Sequence, residues 1–274
     1  MNPVPFVKMQ GSGNDFILID NRPALLDPEN LGDFIRGVCR RSRSVGADGL
    51  ILLEESDRAD FRWHFFNADG SRAEMCGNGS RCAARWAHRL GMAPASLTFE
   101  TDAGLIAAQV SGRRVRVRMT DPSPVEQDVQ IAMNGSDLCL QFVNTGVPHA
   151  VEFVEDLEGR DVVGAGRFVR NHDRFQPAGT NVNFVRPEDR HRVAVRTYER
   201  GVEEETLACG TGAVASALVS AEMGYADSPV DVLTRSGEVL EISFRKEGDR
   251  YTDVCMEGET ALVYEGLLNE EAWE

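Results

Sequence analysis

One short pattern occurs twice in the chain. Cys76-Gly77-Asn78-Gly79 is followed 133 residues later by Cys209-Gly210-Thr211-Gly212. Its surroundings repeat as well. Phe61-Arg62-Trp63-His64-Phe65 alternates as a strand, and Asn67-Ala68-Asp69-Gly70-Ser71 carries turn residues. The first Cys-Gly-x-Gly then opens a helical pattern, with Cys82, Ala83, Trp86, Ala87 and Leu90 on one face and Arg81, Arg85 and Arg89 on a solvated one; Gly91 stops it. In the second half Val193, Val195 and Thr197 alternate toward Glu199-Arg200-Gly201, and the second Cys-Gly-x-Gly opens an apolar segment, Ala213 to Met223, stopped by Gly224. That segment is too short to span a bilayer, so it reads as a helix buried on all sides. Upstream, the loop Gly11-Ser12-Gly13-Asn14-Asp15-Phe16 precedes Ile17-Leu18-Ile19, as Asn144-Thr145-Gly146-Val147-Pro148-His149 precedes Ala150-Val151. Asn67 and Glu199 lie 132 residues apart, and Asn14 and His149 lie 135 apart. Three coincidences at nearly one offset indicate a duplicated domain.

A duplicated chain must build the same core twice, which narrows the fold. The expected class is α+β: two pseudo-symmetric halves, each a strand-rich mixed sheet or barrel wrapped around a central helix. Further strands are expected at Leu97–Glu100, Leu138–Val143, Val230–Leu233 and Val239–Phe244. The join falls near Thr120, where Asp121-Pro122-Ser123-Pro124 punctuates the chain, so the halves are expected at 1–120 and 121–263.

Charge and composition exclude several function classes. The 274 residues carry 44 acidic against 29 basic side chains, a formal −15, and such a surface repels a phosphate backbone; no nucleic-acid partner is expected. No apolar run reaches membrane-spanning length, and Met1-Asn2-Pro3-Val4-Pro5-Phe6 lacks the basic and apolar blocks of a secretory leader, so the expected location is the cytoplasm. Lysine occurs only at Lys8 and Lys246, leaving almost no candidate for a pyridoxal-phosphate Schiff base. The six cysteines contain no Cys-x-x-Cys pair, and they read as thiols with no metal site.

A cysteine just ahead of a helix meets unpaired N–H groups and the positive end of the helix dipole. That position lowers a thiol's pKa and also cradles a carboxylate. Alone, either cysteine reads equally well as a small apolar residue at a helix start. As a matched pair, Cys76 and Cys209 suit the removal of a proton from one face of a carbon and its delivery to the other. With a reference pKa of about 8.5, a thiol serves as acid or base near neutrality. Backbone N–H groups of the two helix starts would stabilise the developing carbanion through its carboxylate.

These motifs resemble the diaminopimelate epimerase family along nearly the whole chain: Gly11–Phe16, Phe66–Ser71, Cys76–Gly79, Gly146–His149, Tyr198–Gly201 and Ala208–Gly212. The resemblance implies a pyridoxal-phosphate-independent epimerase with no cofactor and a small-molecule substrate, diaminopimelate. It implies halves closing over the substrate, with the C-terminal segment from about 264 to 274 returning to the first half, and it allows a homodimer. By resemblance Cys76 and Cys209 are the acid/base pair, and His149 and Glu199 tune their pKa values. Gly77-Asn78 and Gly210-Thr211 hold the carboxylate, and Asn14, Asn67, Asn181, Glu199 and Arg200 line the pocket. Gly49 and Val147 stand where other members present a glutamine and an asparagine to the substrate. Two alternatives remain open at this stage: a racemase of the same fold acting on another amino acid, such as histidine or hydroxyproline, and a non-catalytic thiol protein with a binding or redox role.

Overall fold

The computed structural model describes residues 3–133 and 136–274. Met1 and Asn2, part of the segment read for a leader, lie outside the described residues. The chain divides into two units, Met1–Val117 with Gly258–Glu274, and Arg118–Glu257.

In the first unit the chain runs through β1 (Val4–Gly11), β2 (Asn14–Asp20), α1 (Gly32–Val38), β3 (Gly49–Glu54), β4 (Phe61–Asn67), β5 (Arg72–Ala73), α2 (Gly77–Arg89), β6 (Ser96–Thr101), β7 (Gly104–Ser111) and β8 (Arg114–Arg118). β1 and β2 pair antiparallel, β2 and β3 parallel, β3 and β4 antiparallel. β4 pairs antiparallel with β5 and parallel with β6, and β6–β7–β8 continue antiparallel. α2 packs on β1, β2, β3, β4 and β7, so this sheet curls around it. α1 covers the other face, where Phe34, Ile35 and Val38 meet Ile17, Ile19, Leu50 and Leu52. Covered on both faces, β3 is an unbroken apolar run, Leu50-Ile51-Leu52-Leu53, with no exposed surface.

The second unit contains β9 (Glu126–Met133), β10 (Ser136–Asn144), β11 (Pro148–Phe153), α3 (Val162–Arg170), β12 (Asn181–Asp189), β13 (Arg192–Glu199), β14 (Glu204–Thr206), α4 (Gly210–Glu222), β15 (Val230–Leu233), β16 (Val239–Glu247) and β17 (Arg250–Glu259). From β10 to β17 it repeats the pairing pattern of β1 to β8 step for step, with parallel pairs β11–β12 and β13–β15 in the places of β2–β3 and β4–β6. The register repeats too. Phe16 opposes Gly49 as His149 opposes Asn181, and Ile51 opposes Phe65 as Asn183 opposes Thr197. α2 and α4 are each 13 residues long.

The first strand of each sheet comes from a different source. In the second unit β9 pairs antiparallel with β10; in the first, β18 (Ala261–Leu268) returns to take that place on β1. The residues after it dock on α1, where the Trp273 ring lies 5.0 Å from that of Phe34. A Cβ on Gly37 would meet the Trp273 backbone at 2.5 Å, so only glycine permits this contact.

The arginine face of α2 requires correction. Arg81 is wholly buried and donates from Nη2 to Ser12 Oγ at 2.9 Å, and half-buried Arg85 donates to the Thr260 carbonyl at 2.7 Å. Only Arg89 of the three is exposed, and Leu90, assigned to the core face, is 36% exposed. A helix enclosed by strands has no solvated stripe, so its long cations must reach polar backbone and hydroxyls inside. α4 meets the expectation of burial from Gly212 through Ser220, while Ala221, Glu222 and Met223 at the end of the expected segment are half-buried. Among the described residues no helix is long and apolar enough to cross a membrane.

Candidate active site

In the first unit Cys76 is the N-cap of α2. Its backbone is extended, and its sulfur accepts from the Gly79 N–H at 3.5 Å. The thiol faces Asn14 Oδ1 at 3.7 Å, and the same oxygen is 3.5 Å from Asn78 Nδ2. Asn14 opens β2 after a turn that needs two left-handed residues, Ser12 (φ 58) and Gly13 (φ 81). The opposite end of its amide is fixed by donation to Asp48 Oδ2 at 2.6 Å. Arg41 in turn spans Asp48 and Asp15, and Lys8 lies 2.9 Å from Asp15. Burial raises the Asp15 carboxyl, but hydrogen bonds from Arg41 and Lys8 outweigh it and hold the group below its ordinary range. Asn14 is therefore oriented from behind by an ion-pair network.

Asn78 Oδ1 is buried without a hydrogen-bond partner among the described residues. The N–H groups of Gly77 and Asn78 belong to the first helical turn, where no preceding carbonyl claims them. Asn67 lies at the exposed end of β4, opposite Gly49, and donates to Ser71 Oγ at 3.0 Å. A Cβ on Gly49 would come within 2.5 Å of the Phe66 carbonyl oxygen and 2.7 Å of the Phe65 ring. This backbone leaves no room for a glutamine at that position.

In the second unit Cys209 is the N-cap of α4, 8% exposed, with its sulfur 3.6 Å from Thr211 Oγ1. Gly210 and Thr211 supply the same early-turn N–H groups as Gly77 and Asn78. Asn181 starts β12, accepts from the Arg200 N–H at 2.9 Å and donates to the Pro148 carbonyl at 3.1 Å. Glu199 accepts from Thr206 Oγ1 at 2.8 Å, and the Arg200 guanidinium donates to the Ala178 carbonyl at 2.9 Å. Glu199 and Arg200 are thus tied into the strand ends and are not a loose surface pair.

His149 has no exposed surface. Burial, helped by the charge of Arg200, pushes its pKa down to about 3. It is neutral in the folded protein at any ordinary pH. Above about pH 6.5 the imidazole is neutral in the unfolded chain as well and costs nothing. Below that, the unfolded chain takes up a proton that the folded state refuses, so stability falls with acidification. Between pH 7 and 5 this group alone removes about 2 kcal/mol. Denaturant unfolding of His149→Phe should lose less stability over that interval than the parent, and equal slopes would show that the imidazole is not buried neutral.

Two residues beside His149 escaped the motif reading, Asn183 and Thr197. Asn183 Nδ2 is 3.1 Å from His149 Nδ1 and 3.1 Å from the Ala150 carbonyl, and Thr197 Oγ1 donates to Asn183 Oδ1 at 3.0 Å. Their one sequence signal is period-two spacing: Asn183 shares a strand face with Asn181 inside an otherwise apolar run. Asp48, whose carboxylate holds the Asn14 amide, lies in no motif of the sequence. Among the described residues no group of three or more His, Cys, Asp or Glu is arranged to hold a metal ion.

The architecture and the doubled N-cap cysteine define a class, strand-rich α+β proteins in which one sheet-around-helix unit is built twice. Solved structures share this fold. A PhzF-family phenazine biosynthesis protein of Bacillus anthracis matches with TM-score 0.73 at 16% identity, covering 98% of this chain and 100% of that one. A hydroxyproline epimerase of Agrobacterium vitis matches with TM-score 0.72 at 17% identity, covering 98% and 93%. Within this class the chain belongs to the diaminopimelate epimerase family, whose model matches residues 6–125 and 141–263. The diaminopimelate epimerase of Aquifex aeolicus is 50% identical over 280 residues, covering 98% of this chain and 99% of that protein.

Proposed function

We propose that this protein interconverts LL- and meso-diaminopimelate, in lysine and peptidoglycan precursor synthesis in the cytoplasm, with Cys76 and Cys209 as the acid/base pair. The observation that carries this reading is the matched N-cap cysteine, one per unit, at the head of helices equal in length and preceded by strands equal in register. One thiolate takes the α-proton from one face of the substrate, and the other thiol gives its proton to the opposite face. The electron pair left on carbon spreads into the α-carboxylate, which the N–H groups of Gly77, Asn78, Gly210 and Thr211 bind at the positive ends of two helices. Such donors typically contribute about 3–4 kcal/mol each in other enzymes. Asn14, Asn67, Asn181, Glu199 and Arg200 are the substrate-binding side chains, and Arg200 offers the cation for a distal carboxylate. His149 and Glu199 set the electrostatic environment of the thiols. With no side chain at Gly49, recognition of the distal end falls on the remaining polar groups.

The deciding experiment incubates purified protein with LL-diaminopimelate in deuterium oxide without added cofactor. Conversion to the meso isomer with deuterium at the inverted carbon is expected, because the donating thiol exchanges with solvent. Inverted product that keeps its original hydrogen would exclude a two-thiol route. Inversion of histidine or hydroxyproline in preference would reassign the substrate while keeping the chemistry.

A further inference from the structure

The registers of the two units match, so each buried position in one has a counterpart in the other. Behind the Cys76 turn the counterparts of His149, Asn183 and Thr197 are Phe16, Ile51 and Phe65. Phe16 and Phe65 pack edge-on with ring centroids 5.9 Å apart. One unit thus backs its cysteine with an apolar cluster and the other with a hydrogen-bonded polar one. All three polar residues are buried, at 0, 0 and 3% exposure. The cluster also adjoins Cys209: an ideal Cβ on Gly212 would lie 2.5 Å from Asn183 Oδ1 and 3.3 Å from Cys209 Sγ.

The hydrogen bonds determine where the protons are. The Ala150 carbonyl can only accept, so the amide atom facing it is Nδ2. The Thr197 hydroxyl donates to the other amide atom, in agreement. His149 Nδ1 therefore accepts from Nδ2, and the single proton of the neutral ring is on Nε2. That Nε2 is buried and has no hydrogen-bond partner among the described residues. Buried donors are rarely left so without a functional reason.

We infer that Asn183 is a positioning residue: braced by Thr197 and Ala150, it locks His149 in the Nε2–H form, making the imidazole a fixed hydrogen-bond donor and not a proton carrier. The depressed pKa of His149 is consistent with this, since a ring that does not protonate cannot shuttle protons. The catalytic role of that donor rests on the epimerase reading; the tautomer does not.

The test is nitrogen NMR of the full-length protein labelled at histidine, with His149 assigned by His149→Gln. The expected wild-type spectrum has Nδ1 unprotonated and Nε2 protonated, unchanged from pH 6 to 8. Asn183→Asp replaces the donor with an acceptor, which should move the proton to Nδ1 and make the ring titrate. In the same variant kcat for diaminopimelate should fall about 100-fold or more, as for other histidines held in the wrong tautomer, with KM changed only a few-fold. A wild-type ring protonated on Nδ1, or an Asn183→Asp variant with unchanged tautomer and rate, would overturn the inference. An Nε2–H ring in a protein that epimerises no amino acid would uphold the tautomer assignment and remove the epimerase reading.

Discussion

Cys76→Ala and Cys209→Ala are each expected to lower the rate of epimerisation roughly a thousandfold or more, with the fold retained. A positioned acid or base contributes about 10²–10⁴ in rate, and the proposed two-thiol mechanism needs one of each per turnover. Loss of either thiol leaves the other able to remove the proton from its own face. That thiol can return only a solvent-derived proton to the same face. Each variant should therefore exchange the α-hydrogen of one isomer with deuterium oxide, without inverting it, and the two variants should choose opposite isomers. Mass spectrometry of the unreacted substrate reads this directly. Near-normal inversion in either variant would remove that cysteine from the acid/base role. Stability should change little, because each cysteine is at the head of its helix and the substitution removes a single sulfur atom.

The second large effect is a contrast between two glycines at equivalent places. A methyl at Gly212 would meet Asn183 Oδ1 at 2.5 Å and the Cys209 Cβ and Sγ at 3.2 and 3.3 Å. Asn183 cannot give way, because its amide is held by Thr197, Ala150 and His149. The insertion must displace the sulfur, the amide or both. At Gly79 the nearest atom is the Ile51 Cδ1 methyl at 3.2 Å, the far end of a flexible apolar side chain held by no hydrogen bond. Alanine is favoured over glycine within a helix by about 1 kcal/mol, so propensity alone would stabilise both variants. We expect Gly212→Ala to lose about 100-fold in kcat and about 1–3 kcal/mol in stability through overpacking. Gly79→Ala should stay within about tenfold of the parent, near the parent's stability. Kinetics with denaturant unfolding would check both, and equal behaviour would show that the polar cluster does not brace the Cys209 turn.

Much of the first-order organisation was legible in the chain. The strands at Phe61–Asn67 and Arg192–Glu199 and the helices opening after Cys76 and Cys209 follow from period-two and helical spacing ended by glycine. The solvent face assigned to Arg81 and Arg85 did not hold. Side-chain chemistry at helical spacing does not reveal that strands enclose the helix all round. Asn14 was legible as a site candidate, but the Asp48–Arg41–Asp15 network that orients it was not, since its members are far apart in sequence.

The sequence by itself determined that one unit is built twice and that each copy places a cysteine at a helix start, because glycine, cysteine and apolar periodicity act through local geometry. Only the tertiary structure decided that the copies are unlike behind those cysteines. His149, Asn183 and Thr197 lie on three strands, and no spacing in the chain shows that the register of one parallel and one antiparallel pair brings them into a single buried hydrogen-bonded group.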